Sequence, residues 1–531
     1  MWYLAIVVLA TIMLYYELYI GGAVSPNIIS GYGMTFTFYV YISVVSNAVG
    51  AFGSLLAGLS DRWGRANLVA YGLVITALLA LFGIPNAHDK WTFSILTVII
   101  GLVEGVILVA TPALIRDFSP QLGRASAMGF WTLGPVVGSL VVAIVSSNTV
   151  NHLGAWQDQY IIVGIVGLVV AVIALFGLRE LSPQLRDQLM VSIRDRALIE
   201  AKARGIDVEA SLRSPWRQMM RLDVIGSAFA ISVFLLIYYS AVGFFVIYFE
   251  TLHGFSLSTA NSIGDWFWAF DAGILIVIGI ISDRVRVRKP FMVVGGIGAI
   301  VMMIVFLSLG TKTSYATFAV VISILAAFLA IAYGPWMASF TETVEKHNPA
   351  LIATGLAVWG WIIRIVVALS ALVLPLVVGS MTPVITYGAQ VQTLAAKYAP
   401  QLATAQAIDP KTQATLNANP SDTTALGTAV GEIAKAFNVS PAAATTRLTA
   451  LAAVPKADLA FLNEHAAQVE TASAAAPGQW KNWWWVCVGG MVLFLPFIMV
   501  MTGRWSPRKA REDAEAHERK VQEELAALTD A

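Results

Sequence analysis

Twelve separate runs of apolar residues constrain this chain more than any other feature. Crossing the hydrocarbon core of a bilayer takes about 20 mostly apolar residues. Such runs lie near 2–24, 34–58, 67–86, 92–115, 125–147, 158–178, 222–249, 258–281, 290–309, 314–338, 351–379 and 482–502. Hydrocarbon offers no partner to backbone N–H and C=O groups, so each run must satisfy its own as a helix. The expected fold is therefore all-α and integral to a membrane, with about twelve transmembrane helices. Composition agrees. Only 12% of the 531 residues are charged and 58% are hydrophobic, against about 25% charged in ordinary soluble domains. That excludes a soluble enzyme or a disordered protein.

Charge placement sets the expected orientation. Of the 33 Lys and Arg residues, 24 fall in the connections after spans 2, 4, 6, 8 and 10 or in the tail. By the positive-inside rule these are cytoplasmic, as are both termini. A cell membrane protein with many passes is the expectation. No Lys or Arg precedes span 1, so it reads as a retained helix rather than a signal peptide. Trp480 and Trp483 to Trp485 read as an interfacial anchor for span 12.

The organisation predicted along the chain has six parts. Residues 1–178 form a six-helix bundle and 179–221 an amphipathic cytoplasmic linker with nine basic residues. Residues 222–380 carry spans 7 to 11. Residues 381–480 are an Ala- and Thr-rich insertion, helical and extracytoplasmic, in which Asp409-Pro410 and Ser440-Pro441 mark helix starts. Span 12 occupies 481–502, and 503–531 form a charged cytoplasmic tail.

An internal repeat joins the two halves. Asp61-Arg62 after span 2 and Asp283-Arg284 after span 8 are 222 residues apart; Tyr15-Tyr16 and Tyr238-Tyr239 in spans 1 and 7 are 223 apart. Repeats of this kind characterise transporter folds. Around Asp61 the sequence reads Ala57-Gly58-Leu59-Ser60-Asp61-Arg62-Trp63-Gly64-Arg65. The second copy keeps Gly279, Asp283 and Arg284 but has Arg286 where the late glycine should stand. Span 5 contains Gly134-Pro135-x-x-Gly138-Ser139. With these motifs the chain resembles the major facilitator superfamily over its whole length except 381–480. The resemblance implies two pseudo-symmetric six-helix bundles and alternating access. It also implies a cytoplasmic gate built from Asp61, Arg62, Arg65, Asp283 and Arg284, with Arg116 at the end of span 4 able to join.

Ionisable residues inside a span are costly and read as functional. Glu17, Glu104, Asp265, Asp271 and Arg364 qualify. Counting along spans 8 and 11 puts Asp271 and Arg364 both near the midplane, so a pair between them is geometrically possible, with Asp265 about 9 Å further out as an alternative partner. Arg364 is the expected anchor for an anionic substrate and the carboxylates the carriers of a coupling proton. The doublets Tyr15-Tyr16 and Tyr238-Tyr239 are expected to line the cavity, with Trp266, Trp268, Tyr333, Trp359 and Trp361 nearby.

These readings favour a secondary transporter of a small organic anion, a carboxylate before other acids, coupled to protons. The rival is proton-driven efflux of apolar or cationic compounds. A remoter rival is a sensor or scaffold working through 381–480. The near balance of 33 basic against 32 acidic residues offers no field for nucleic acid. One cysteine, Cys487, and six unclustered histidines give no disulfide framework and no metal site. No Gly-x-x-x-x-Gly-Lys-Ser/Thr loop appears, so no ATP-driven pump is expected. No cofactor and no enzymatic activity are expected, and the expected partners are the bilayer, a small-molecule substrate and protons, in a monomer.

Overall fold

The computed structural model describes residues 2–55, 64–118, 133–179, 215–348 and 351–513, with 515, 516 and 519 in the tail. Twelve helices among them match the twelve apolar runs: α1 (Trp2–Ala23), α2 (Phe36–Leu55), α3 (Arg65–Asn86), α4 (Lys90–Phe118), α5 (Gly134–Thr149), α6 (Gln157–Gly177), α7 (Leu222–His253), α8 (Leu257–Val285), α9 (Lys289–Ser308), α10 (Tyr315–His347), α11 (Ile352–Val377) and α12 (Lys456–Val500). Eleven are long and apolar enough to cross a membrane. The exception, α5, has 16 residues, and the residues leading into it lie outside the described set. Apolar side chains such as Phe176 and Leu376 stay exposed on the outside of the bundle, where hydrocarbon rather than water would cover them.

Local chemistry fixes where several helices start. Ser256 caps α8 by accepting from the Thr259 N–H, and Ser314 caps α10 by accepting from Thr317. Asp89 does the same before α4, accepting from the N–H groups of Trp91 and Thr92 at 2.7 and 3.1 Å. Hydrogen bonds from the Thr92 hydroxyl and then these N–H groups hold the exposed Asp89 carboxyl below its ordinary value. Gly254, left-handed at φ 65°, ends α7.

Packing divides the chain into two compact units, 1–378 with 478–531, and 379–477. Within the first unit the pairings repeat. Helix α1 packs on α5, α2 on α4 and α3 on α6; six helices later, α7 packs on α11 and α8 on α10. The sixth pairing is visible in atoms. Gly296 of α9 faces Leu495 of α12 so closely that a Cβ would lie 2.7 Å away. Between the halves, α1 meets α7, α5 meets α8 and α2 meets α11.

The contacts across the halves cluster at the end of the bundle holding Ala23, Ser147 and Leu257, called here the upper end. Asn261 donates to the Ala23 carbonyl at 2.9 Å, and the Ser258 hydroxyl donates to the Ser147 carbonyl at 2.5 Å. A Cβ on Gly22 would lie 2.1 Å from the Val242 carbonyl oxygen, so α1 and α7 cross there backbone to backbone. The Gly134 and Gly138 pattern has a similar cause. Side chains there would strike Thr11 and Tyr15, each at 2.5 Å, so the motif allows α5 to lie against α1.

The second unit is a set of short helices, Met381–Lys397, Ala399–Gln406, Pro410–Ala418, Thr423–Phe437 and Pro441–Ala452, followed by the first part of α12. Asp409 and Ser440 are N-caps with Pro at the first turn. Two apolar clusters hold it together, one around Leu394, Tyr398 and Leu462, the other around Ile408, Ala429 and Ile433. One boundary differs from the sequence reading. The last helix starts at Lys456 rather than near 482. The Ala-rich stretch before Pro477-Gly478 propagates helix strongly enough to run through both helix breakers. The linker helix expected over 179–221 lies outside the described residues except for Pro215–Met219, which is helical.

Candidate functional site

Five side chains from four helices share one region midway along the bundle. Tyr15 and Tyr19 come from α1, one turn apart, with ring centroids 5.5 Å from each other. Tyr239 comes from α7, Tyr333 from α10 and Arg364 from α11. Arg364 lies close enough to Tyr15 and Tyr239 to interact with both electrostatically. Tyr239 and Tyr19 each sense Tyr15 and Tyr333 in the same way. None of the four phenol hydroxyls makes a hydrogen bond to any described residue. Four O–H groups and a guanidinium thus converge, from both halves, on one region.

The tyrosine doublets split. In α1 it is Tyr15 that joins Arg364, while Tyr16 is buried in packing with its hydroxyl unpartnered. In α7 it is the second member, Tyr239. The one-residue offset coincides with a π-helical turn at Leu222–Gly226 and a break in α7 at Leu235. A π turn shifts the helix phase by one residue.

The Asp271–Arg364 pair does not form. Asp271 is fully buried and accepts from the Tyr238 hydroxyl at 2.5 Å. Tyr238 is itself wedged against Phe267 and Trp268, so the first tyrosine of the α7 doublet occupies the place assigned to arginine. Asp265 is not shared with Arg364 either. It accepts from the Ser147 hydroxyl at 2.9 Å and ties α8 to α5 near the upper end.

The first bundle holds two buried carboxylates. Glu17 accepts from the Thr76 hydroxyl at 2.6 Å and presses on Gly167, whose Cβ would lie 2.5 Å from Oε1. It therefore sits among α1, α3 and α6 instead of lining the cavity. Glu104 is 4% exposed, and neither carboxylate oxygen has a hydrogen-bond partner. It interacts electrostatically with Glu17, and with Tyr15 and Tyr19. Through Tyr15 it is one residue removed from Arg364.

Above Tyr19 a small cavity lies between α1, α5, α7 and α8. Its wall is apolar: Val142 and Ala143 from α5, Ala241, Phe245 and Val246 from α7, and Trp268 from α8.

At the lower end the structure describes part of the expected gate. Asp61 and Arg62 lie outside the described residues, as does the side chain of Arg116. Arg65 begins α3 half-buried. In the second copy Asp283 accepts from Arg288, at 2.7 Å, while Arg284 is exposed and has no partner among the described residues. Arg288 also donates to Glu342 at 3.1 Å and to the Ser282 hydroxyl at 2.7 Å. The sequence reading missed Arg288 as the hub because it lies outside the repeated motif; its spacing beyond the turn was the available signal. The missing late glycine is also explained. Gly64 has φ 87°, and Arg286, 222 residues later, is left-handed at φ 59°. Both copies of the turn need positive φ, and the second meets that need without glycine.

The family model of the Major Facilitator Superfamily matches residues 6–371. The chain belongs to this superfamily. The fold agrees: a bacterial homolog of the human lysosomal transporter Spinster superposes with a TM-score of 0.55 at 16% identity, covering 95% of this chain and 98% of that one. Among sequence relatives, the probable anion transporter 3, chloroplastic, of Oryza sativa is 24% identical over 43% of this chain and 44% of its own length. Quinolone resistance protein NorB of Staphylococcus aureus is 26% identical over 26% of this chain and 29% of its own. The chain thus covers less than half the length of the curated relatives it matches. As a member of the superfamily it is a multi-pass membrane protein with the twelve-helix transporter fold.

Proposed function

We propose that this member of the superfamily carries a small organic anion, a carboxylate, across the cell membrane by proton-coupled alternating access. The observation that supports this best is the convergence of Arg364 with the hydroxyls of Tyr15, Tyr19, Tyr239 and Tyr333. A guanidinium grips a carboxylate through two parallel bonds, and phenol O–H groups complete its shell. The site draws on both bundles, as a site must if one bundle rocks against the other. Glu104 is the coupling-proton site in this reading, with Glu17 beside it. A carboxyl buried without a donor is cheaper to keep protonated than charged. Asp271 serves the same site through Tyr238, and Asp265 belongs to the upper gate, whose opening breaks its bond to Ser147. The Asp283–Arg288–Glu342 cluster belongs to the lower, cytoplasmic gate.

Proteoliposomes given a pH gradient and a panel of radiolabelled organic acids test this. Wild-type protein accumulates at least one of them. Arg364→Ala abolishes uptake, and Arg364→Lys recovers little, since a point charge replaces a fork. Gradient-driven movement of cationic or apolar compounds, unaffected by Arg364→Ala, would instead support efflux, the function named for NorB.

A further inference from the structure

Among the carboxylates inside the spans, Glu17 bonds to Thr76, Asp271 bonds to Tyr238, and Glu104 has no hydrogen-bond partner. Those two bonds stay within one bundle. Asp265 differs. Its Oδ2 accepts from the Ser147 hydroxyl, so the bond joins α8 of the second bundle to α5 of the first. It shares Ser147 with a second cross-bundle contact, from the Ser258 hydroxyl to the Ser147 carbonyl. Parting the bundles at the upper end must break it.

Counting protons shows what this contact lacks. The Ser147 hydroxyl has one proton and two acceptors, Asp265 Oδ2 at 2.9 Å and the Ile144 carbonyl at 3.1 Å. Its oxygen accepts from the Asn148 amide at 3.2 Å and has a second lone pair to offer. Asp265 Oδ1 is buried with no partner. No charged side chain among the described residues interacts with Asp265. Helix α5 carries no titratable residue. The upper half of α10 has only Tyr315, whose hydroxyl accepts from Ser262 and Trp266, each at 3.0 Å. On α7 the last turn holds Glu250 and His253, and the His253 Nδ1–H donates to the Thr311 carbonyl at 3.1 Å. A charged Asp265 in the closed contact thus has one shared donor and no counter-charge, which is costly. A neutral Asp265 fits. Its acid O–H donates to Ser147 Oγ, and the Ser147 proton goes to the Ile144 carbonyl.

From these observations we propose that Asp265 is a proton-operated latch of the upper gate. A proton from the outer solution moves to Oδ2 as the gate closes. It returns to water when the gate opens and the carboxylate is hydrated. Acid outside therefore favours the closed upper gate. The latch is a second proton site, separate from Glu104, and it responds to the outer pH. This rests on the alternating-access reading above and is independent of the compound carried.

Spin labels on Asn151→Cys and Lys312→Cys test it. Both positions are exposed, on upper connections of opposite bundles, and the native Cys487 is buried. Double electron–electron resonance on the purified full-length protein, without substrate, reads the distance between them. With Asp265 intact, the population at the longer, open distance should rise about threefold or more from about pH 5 to about pH 8. Asp265→Asn, whose amide N–H replaces the acid O–H, should keep the shorter distance at both. Ser147→Ala removes the one donor to the carboxylate and should raise the open population at about pH 8. Glu104→Gln should keep the pH response. A response that survives in Asp265→Asn, is absent with Asp265 intact, or is lost in Glu104→Gln would overturn the latch. Uptake that depends on Arg364 is read separately, so the transport reading stands or falls on its own assay.

Discussion

In the first bundle the buried charges are two carboxylates, Glu17 and Glu104, of which Glu104 lacks any hydrogen-bond partner. In the second, Asp271 is buried and held by Tyr238, Lys289 is buried at the start of α9, and Arg364 is half-buried beside Tyr15 and Tyr239. The helices of the two bundles pair alike, yet the second adds an arginine beside its tyrosines, and the carboxyl with no hydrogen-bond partner on either oxygen lies in the first. A common scaffold has thus been given different work on its two sides. The unsatisfied carboxyl is suited to gaining and losing a proton, and the arginine to holding an anion. Tyr15 of the first bundle and Tyr239 of the second stand between them.

If that division holds, Glu104→Gln should have the largest effect that spares the anion site. Accumulation driven by a pH gradient should fall to background, while exchange of labelled for unlabelled acid continues. Equal loss of both would place Glu104 in the substrate site and erase the distinction between the bundles.

A middle-sized effect separates Asp271 from Arg364. Tyr238→Phe strands a fully buried carboxylate and should lower stability by about 1–3 kcal/mol, read as a drop in the Tm of the purified protein. Arg364→Ala should lower the Tm less than Tyr238→Phe does, because Asp271 keeps its Tyr238 partner. For the same reason, adding Asp271→Ala to Arg364→Ala should not restore transport. Recovery in that double variant would mean that the two form a structural pair in some other state of the cycle.

The smallest effect compares the two copies of the repeated turn. Gly64→Ala forces a side chain into a region where φ is 87° and should cost about 1–3 kcal/mol. Arg286→Gly relieves a left-handed residue and should raise stability by up to about 1 kcal/mol. No difference between the two in thermal unfolding would show that the turns are not equivalent.

Much of the architecture was legible because hydrophobicity is additive along the chain. A run long enough to span hydrocarbon can be counted without knowing its neighbours, and so can a motif repeated at a fixed offset. The ionisable residues inside the spans were legible for the same reason: their cost depends on depth, and depth follows from a rise of about 1.5 Å per residue. Partners were not legible. Each residue turns a helix by about 100°, so neighbours such as Tyr238 and Tyr239 face different sides, and it is Tyr238 that meets Asp271. Glu17 shows the same limit, since only the packing of α1 on α3 and α6 turns it toward Thr76. The sequence determined that there are twelve spans, two related halves and five costly charges within them. Only the tertiary structure decided which charges meet, because that depends on helix phase and on which helix lies alongside, and neither is written in any one segment.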